Sequence, residues 1–384
     1  MKLNSRLCLS LAMLACLPLS GFAQPAKATK PVKGDYIAYV GTYTGPGKSQ
    51  GIYAWRFHPA SGKVSALGLV AETASPSFLA VHPNHRFLYA VNEVSNFEGQ
   101  PVGSVSAFAM DAVTGRLKLL NTVSSRGDGP CHLALDPSGK WLFVANYGGG
   151  SVVEYTVHDD GTLSQASAFV QHVGSSVNRQ RQAGPHAHST VLSPDGNSVY
   201  VADLGLDQIL SYKAGGLTPN DPPYTRIAPG AGPRHLAFTP NGRYAYVMTE
   251  MTASVVAFRY EGGKFEELQT LPTADFAANI GGAEIAVHPS GKFVYSSTRG
   301  ANTIAAFAID AGKGTLTPVE RTPSGGKTPR NFAIDPTGAY LFAANQDSDS
   351  VTIFRIDAKT GKLTPTGDTL EAMAAVCVTF VPAQ

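Results

Sequence analysis

The chain is poor in several things that would have placed it quickly. Of 384 residues only four are cysteine, and charged residues make up 15%. Two of the cysteines, Cys8 and Cys16, lie in the N-terminal apolar segment, so a processed chain would keep Cys131 and Cys377 alone. Two thiols do not make a disulfide framework. The only long apolar run is Leu7–Leu19, which is too short to span a bilayer as a helix. No block of like charge occurs. Without Lys2 and Arg6 the chain carries 28 basic and 28 acidic side chains, which gives no reason to expect nucleic acid or a membrane surface as a partner. The glycine run Gly148-Gly-Gly150 lacks the strand-to-helix context of a phosphate loop.

What is present begins with a positively charged start, a short apolar core and a small-x-small exit at Gly21 and Ala23. That pattern predicts a cleaved secretory signal over 1–23, a flexible leader over 24–33, and a mature protein that is periplasmic or secreted. The remainder, 34–384, is a repeat. An apolar strand, an x-Pro-x-Gly-like turn, an aromatic strand ending in Asn, Asp or Thr, a loop and a further strand recur six times. The turn prolines are Pro83, Pro137, Pro194, Pro240, Pro289 and Pro336. Second polar turns such as Asp159-Asp-Gly161 and Thr360-Gly-Lys362 introduce a fourth strand. Four strands per unit of about 50 residues is the signature of propeller blades. The chain finishes on a lone first strand, Ala374–Pro382, and opens on the strands Tyr36–Thr42 and Gly51–Phe57 that such a strand lacks. One blade is therefore shared between the two termini. The expected fold is all-β, a seven-bladed propeller closed by that shared blade, which hides its sheet edges.

In a propeller the first strand of each blade lines the channel, and its start shares a face with the loop between strands two and three. That places His132, His186, His188, Arg234, His235, Glu250, Glu284, Arg299 and Arg330 near one mouth. Arginine and histidine there suit an anionic ligand, since arginine offers carboxylate or phosphate a planar fork. A glutamate among them is a candidate acid or base. His132 and His235 are equally candidates for satisfying backbone between blades. Asn92, Asn146 and Asn345 sit before loops, as turn-forming residues do. The polar linker Gln171–Gln182 enters the same face and is a candidate lid carrying Arg179 and Arg181.

Gly-Pro-Cys-His132, Ala145-Asn-Tyr-Gly-Gly-Gly-Ser-Val152, Gly-Pro-His-Ala-His188, Ala202-Asp-Leu-Gly-Leu-Asp207, Gly-Pro-Arg-His235 and Asn331-Phe-Ala-Ile-Asp-Pro336 resemble the seven-bladed lactonase family. That family includes propeller-type 6-phosphogluconolactonases and carboxymuconate lactonizing enzymes. The resemblance covers nearly the whole of 34–384. It implies chemistry on a sugar-derived or acidic lactone with no metal or cofactor. It places catalytic roles on His188, Arg234 and Glu250, and a further arginine on Arg299. Arg330, His186, His132, Glu284 and His235 complete the expected substrate-binding set, in a monomer acting on a small anionic or sugar lactone. Export departs from the cytoplasmic phosphogluconolactone reaction, so the lactone itself stays open. A non-catalytic binding propeller is the alternative, and a calcium-dependent lactonase using Asn146, Asp203 and Asn345 is a third.

Cys131 and Cys377 fall in inner strands of non-adjacent blades, so both thiols are expected free. Labelling the denatured, unreduced 34–384 chain should add two thiol adducts by mass; no adduct would mean a disulfide.

Overall fold

The computed structural model describes residues 34–275 and 279–384. The expected signal and leader lie outside the described residues. Seven four-stranded antiparallel sheets form seven blades. Blades 1 to 6 begin with the inner strands Leu79–Val81, Pro130–Leu135, Ala187–Leu192, Pro233–Phe238, Gly281–Val287 and Pro329–Ile334. Blade 7 is the expected composite: Ala375–Pro382 lies inside, followed outward by Tyr36–Thr42, Gly51–His58 and Lys63–Glu72. The only helical element among the described residues is the single 3-10 turn Gln346–Ser348. No helix among them is long and apolar enough to cross a membrane.

The second strand of each blade is the most apolar, because it is covered on both faces by neighbouring blades. Phe87–Asn92, Tyr244–Thr249 and Tyr340–Asn345 are buried throughout. The outer strands alternate or are exposed, as for Leu363–Glu371. Tyrosines of the second strands donate across the blade boundary to a glycine carbonyl of the next blade: Tyr39 to Gly115, Tyr89 to Gly161, Tyr246 to Gly314 and Tyr295 to Gly361, at 2.7–3.0 Å. Each acceptor glycine has φ of 74–85°, and a Cβ on Gly314 would stand 2.1 Å from the Tyr244 ring. No other residue fits there.

The asparagines before the loops also join blades. Asn92 donates to the Ala74 carbonyl, Asn146 to Ser125 and Asn345 to Ser324, each on the linker arriving from the preceding blade. Their work is structural, as expected, although they hold linkers rather than form turns. Cys131 and Cys377 are free and buried.

Closure rests on Ala375–Pro382 pairing with Tyr36–Thr42. Ending the chain at 374 would strip blade 7 of its inner strand and expose Val378 and Val381, now 5% and 1% exposed. We expect the truncated chain to lose its cooperative melt or to melt more than about 10 °C lower, since several kcal/mol of burial is removed. An unchanged calorimetric midpoint would contradict the closure.

Candidate active site

Five of the seven inner strands carry a single-residue register shift at the mouth end. The residue left out of the ladder is Cys131 in blade 2, His188 in blade 3, Arg234 in blade 4, Arg330 in blade 6 and Val376 in blade 7. In blade 5 the ladder skips Ala283 and Glu284 opposite Ser297, again a net shift of one residue. A bulge turns its side chain away from the alternation of the strand, and here all of these turn into the channel. Just before the bulge, Gly129, Gly232, Thr328 and Ala374 adopt φ of 47–66°. Their carbonyls accept from the first residue after the second strand: Tyr147, Glu250, Gln346 and Tyr43. Ser75, at φ 39°, receives Glu93 in the same way. Arg299, paired with Gly281, holds the corresponding place in blade 5.

The mouth is thus built in tiers. In the upper tier Glu250 is bound by three guanidiniums. Arg181 Nη2 donates to its Oε1 at 2.6 Å, Arg299 Nη2 lies 2.9 Å from Oε2 and Arg234 Nε 3.3 Å from Oε2. Burial alone would raise the Glu250 pKa, but Arg299, Arg234 and Arg181 outweigh it and hold it at about 2. Arg234 is fully enclosed. Burial, with Arg299 and Arg330 nearby, brings it down to about 10. The Nε atoms of Arg234 and Arg299 are buried without a hydrogen-bond acceptor. Three cations on one carboxylate, with the Arg299 Nε donor also unused, leave the site short of an anion.

His188 Nε2 stands 3.7 Å from Glu250 Oε2. Burial first, then Arg234 and His235, push its pKa well below the ordinary histidine value. It is therefore a neutral imidazole able to accept a proton. Its other ring nitrogen faces Cys131 Sγ at 3.8 Å. That thiol is pushed far up by burial and is no nucleophile.

One tier lower, Phe78, His132, His235, Glu284 and Asn331 pack together. The Phe78 and His132 rings are 4.0 Å apart, and those of His132 and His235 5.1 Å. Arg234 Nη1 can only donate, so its 3.2 Å contact makes His235 Nε2 an acceptor and puts the proton on Nδ1. Nδ1 then donates to Glu284 Oε1 at 2.8 Å. Glu284 also accepts from Ile285 N and Asn331 Nδ2. The sequence reading put Glu284 and His132 in the substrate-binding set at the mouth. Both instead lie beneath the mouth, where Glu284 orients His235, which orients Arg234. His186 is half-buried, stacked on Tyr147 with centroids 4.7 Å apart, and its Nδ1 donates to the Tyr147 carbonyl.

The linker does reach the site. Its feet are pinned by His172 on Asp203 at 2.6 Å, Ser176 on Asp207 at 2.6 Å and Gln182 on the Leu204 carbonyl at 2.8 Å. Arg181 reaches across to Glu250 and Tyr147 Oη, while Arg179 stays exposed. Asp203 Oδ1 is filled by the N–H groups of His186, Gly205 and Leu206, so the oxygen set suggested for calcium is committed to backbone at its centre. An open cleft of about 590 Å³ lies above, lined by Arg181, Glu250, Met251, Ile280, Arg299 and Thr328. Tyr147 and Glu93 were not singled out from sequence. Their place directly after a second strand, the same as Glu250's, was the available signal.

The fold is a seven-bladed propeller whose channel mouth gathers arginines and histidines around Glu250. The sequence matches the family model "Lactonase, 7-bladed beta-propeller" over residues 37–380. A Bacillus subtilis 6-phosphogluconolactonase is 36% identical over 301 residues, covering 77% of this chain and 84% of its own. Among solved structures, a Bacteroides fragilis candidate 6-phosphogluconolactonase superposes with TM-score 0.86 at 38% identity, covering 91% of this chain and 98% of that one. A Pseudomonas aeruginosa periplasmic gluconolactonase does so with TM-score 0.85 at 36% identity, covering 91% and 99%. The chain belongs to the seven-bladed β-propeller lactonase family.

The three neutral histidines make stability acid-sensitive. His132, His188 and His235 all have folded pKa values well below 6.5, each chiefly through burial. Their contribution is complete above the unfolded value and is lost as pH falls below about 6.5, where only the unfolded chain takes the proton. Each withheld proton tilts stability by about 1.4 kcal/mol per pH unit. Glu284, raised by burial, opposes this with one group against three. The melting temperature should fall steadily from pH 7 to pH 5, and less steeply in His132→Phe. A flat profile would contradict neutral burial.

Proposed function

We propose that this protein hydrolyses a sugar-derived or acidic lactone at the Glu250 mouth. The lactonase class follows from family membership. The reading of the site is carried by one observation: Glu250 is shared by Arg181, Arg234 and Arg299, with the Arg299 Nε donor unused, 3.7 Å from a neutral histidine.

The geometry divides the labour. Glu250, held near 2 by its three arginines, is a weak base in the resting site. His188, a neutral imidazole with Nε2 3.7 Å from that carboxylate, takes the proton of the attacking water. As the water oxygen bonds to the lactone carbonyl carbon, the carbonyl oxygen becomes an oxyanion, stabilised by donors fixed before the reaction begins. Arg234 supplies the most rigid of these, set by the Glu284–His235 pair. Glu250 stabilises the imidazolium. Collapse breaks the ring C–O bond, and His188 returns its proton to the departing ring oxygen. The product is a hydroxy acid, an anion suited to the same arginines. Nothing in this sequence of steps calls for a metal.

Export is part of the proposal. Its support is the charged, apolar and small-residue pattern of 1–23, together with a relative described as periplasmic. The glucono class is favoured by the relatives named above. A phosphate on the substrate is not required, because the arginines accept carboxylate and phosphate alike.

Purified 34–384 should release acid from at least one of gluconolactone, its 6-phosphate or a muconolactone, unaffected by chelator. His188→Gln and Glu250→Gln should each lower kcat by about 10²–10⁴. Undiminished turnover in both would overturn the site. Ligand binding without product would leave a binding propeller in its place.

A further inference from the structure

A second polar cluster stands across the channel from Glu250, on blades 6, 7 and 1, and the mechanism above does not use it. Glu93 holds in blade 1 the place that Glu250 holds in blade 4, since each donates its backbone N–H to the residue of positive φ before the inner strand. One oxygen of Glu93 accepts from Tyr43 Oη at 2.9 Å, and the other has no partner among the described residues. Arg330 lies over the Tyr43 ring, 5.4 Å from its centroid, and forms no ion pair within 4 Å among the described residues. Ser77 is 5% exposed, and its hydroxyl is buried without any hydrogen-bond partner. Ser77, Glu93 and Arg330 line one small pocket of about 10 Å³, whose far wall is His188 and Arg234. That space takes a single water-sized polar group.

A buried hydroxyl without a partner is costly and marks a place where a ligand group completes the bonding. The three groups together offer an acceptor that cannot donate, a donor that cannot accept, and a hydroxyl that does both. An alcohol hydroxyl satisfies this set. A carboxylate or phosphate does not, because Glu93 would repel it, whereas the Glu250 side is deficient in negative charge. We propose that Ser77, Glu93 and Arg330 form a hydroxyl-binding subsite, and that the preferred lactone is polyhydroxylated, with one ring hydroxyl seated there while its carbonyl end faces Arg234 and Arg299. The assignment rests on the lactonase reading for the reaction, but the binding it describes stands apart from turnover.

The test compares D-glucono-1,5-lactone with δ-valerolactone, the same ring without hydroxyls. In the unmodified protein the ratio of their kcat/KM values should strongly favour gluconolactone. Ser77→Ala and Glu93→Gln should each reduce that ratio about tenfold or more, since a site built to bond a hydroxyl discriminates through it. A ratio unchanged in both variants, with the two lactones falling in parallel, would overturn the subsite. Should the unmodified protein hydrolyse neither lactone, the lactonase reading fails separately. Calorimetric titration with D-gluconate then decides: binding weakened tenfold by Ser77→Ala or Glu93→Gln supports the subsite, and absent or unweakened binding overturns it.

Discussion

The site depends on one backbone irregularity repeated around the ring. In an undisturbed strand, neighbouring side chains point to opposite faces, so at most one in two of them would face a given boundary. The bulge at the mouth end releases one residue from that alternation and sends it into the channel. It also brings the N–H of the residue after the second strand onto the preceding carbonyl. Each bulged blade thereby presents two side chains, one from the bulge and one from the loop. Thr328 and Ala374 adopt the same left-handed conformation as Gly129 and Gly232, so the geometry is imposed by the ladder even where the residue type does not favour it.

The electrostatics follow from what occupies those places. The upper tiers hold four arginines against Glu250 and Glu93. The tier below is dominated by uncharged rings and one glutamate. A cation-rich layer over neutral imidazoles is consistent, because the arginines themselves help keep those imidazoles unprotonated. The chain Glu284–His235–Arg234 then has a clear purpose. A guanidinium that loses much of its hydration needs its donors aimed, and His235 can aim Arg234 only while it carries its proton on Nδ1. Glu284 fixes that tautomer. A residue without contact to the cleft therefore controls one that holds Glu250 in place.

Much of this was legible in the sequence. The blade count, the shared seventh blade and the placement of Arg234 and Glu250 at one mouth follow from strand–turn–strand spacing, which local chemistry determines. Arg181 was placed on the correct loop, but its reach could not be seen. Its contact with Glu250 spans 69 residues and depends on buried His172 and Gln182 and half-buried Ser176, none of which looks unusual in a polar linker. The depth of Glu284 was hidden for a different reason. Glu284 turns inward to His235 and Asn331, partners 49 and 47 residues away in the chain. Ser77 was invisible as a functional residue, because an unpartnered hydroxyl is a property of its surroundings.

Equivalent backbone positions whose side chains differ from blade to blade explain why fold and substrate are weakly coupled here. Changing a bulge residue alters the chemistry at one point of the ring without disturbing the ladder that holds it. The corresponding places in blades 2 and 7, Cys131 and Val376, carry no charge, whereas blades 3, 4 and 6 supply His188, Arg234 and Arg330. The mouth therefore has a directed asymmetry laid over a nearly symmetric frame. Arg181 is the exception, since it comes from an inter-blade linker and not from a repeated position. It is also the most exposed of the three cations on Glu250, 45% against 3% for Arg234 and 19% for Arg299. An exposed donor on a strap with pinned feet is the contact that an incoming anion can most readily replace. Replacing it removes one of the charges that hold Glu250 near 2, so ligand entry itself would raise the basicity of the carboxylate beside His188.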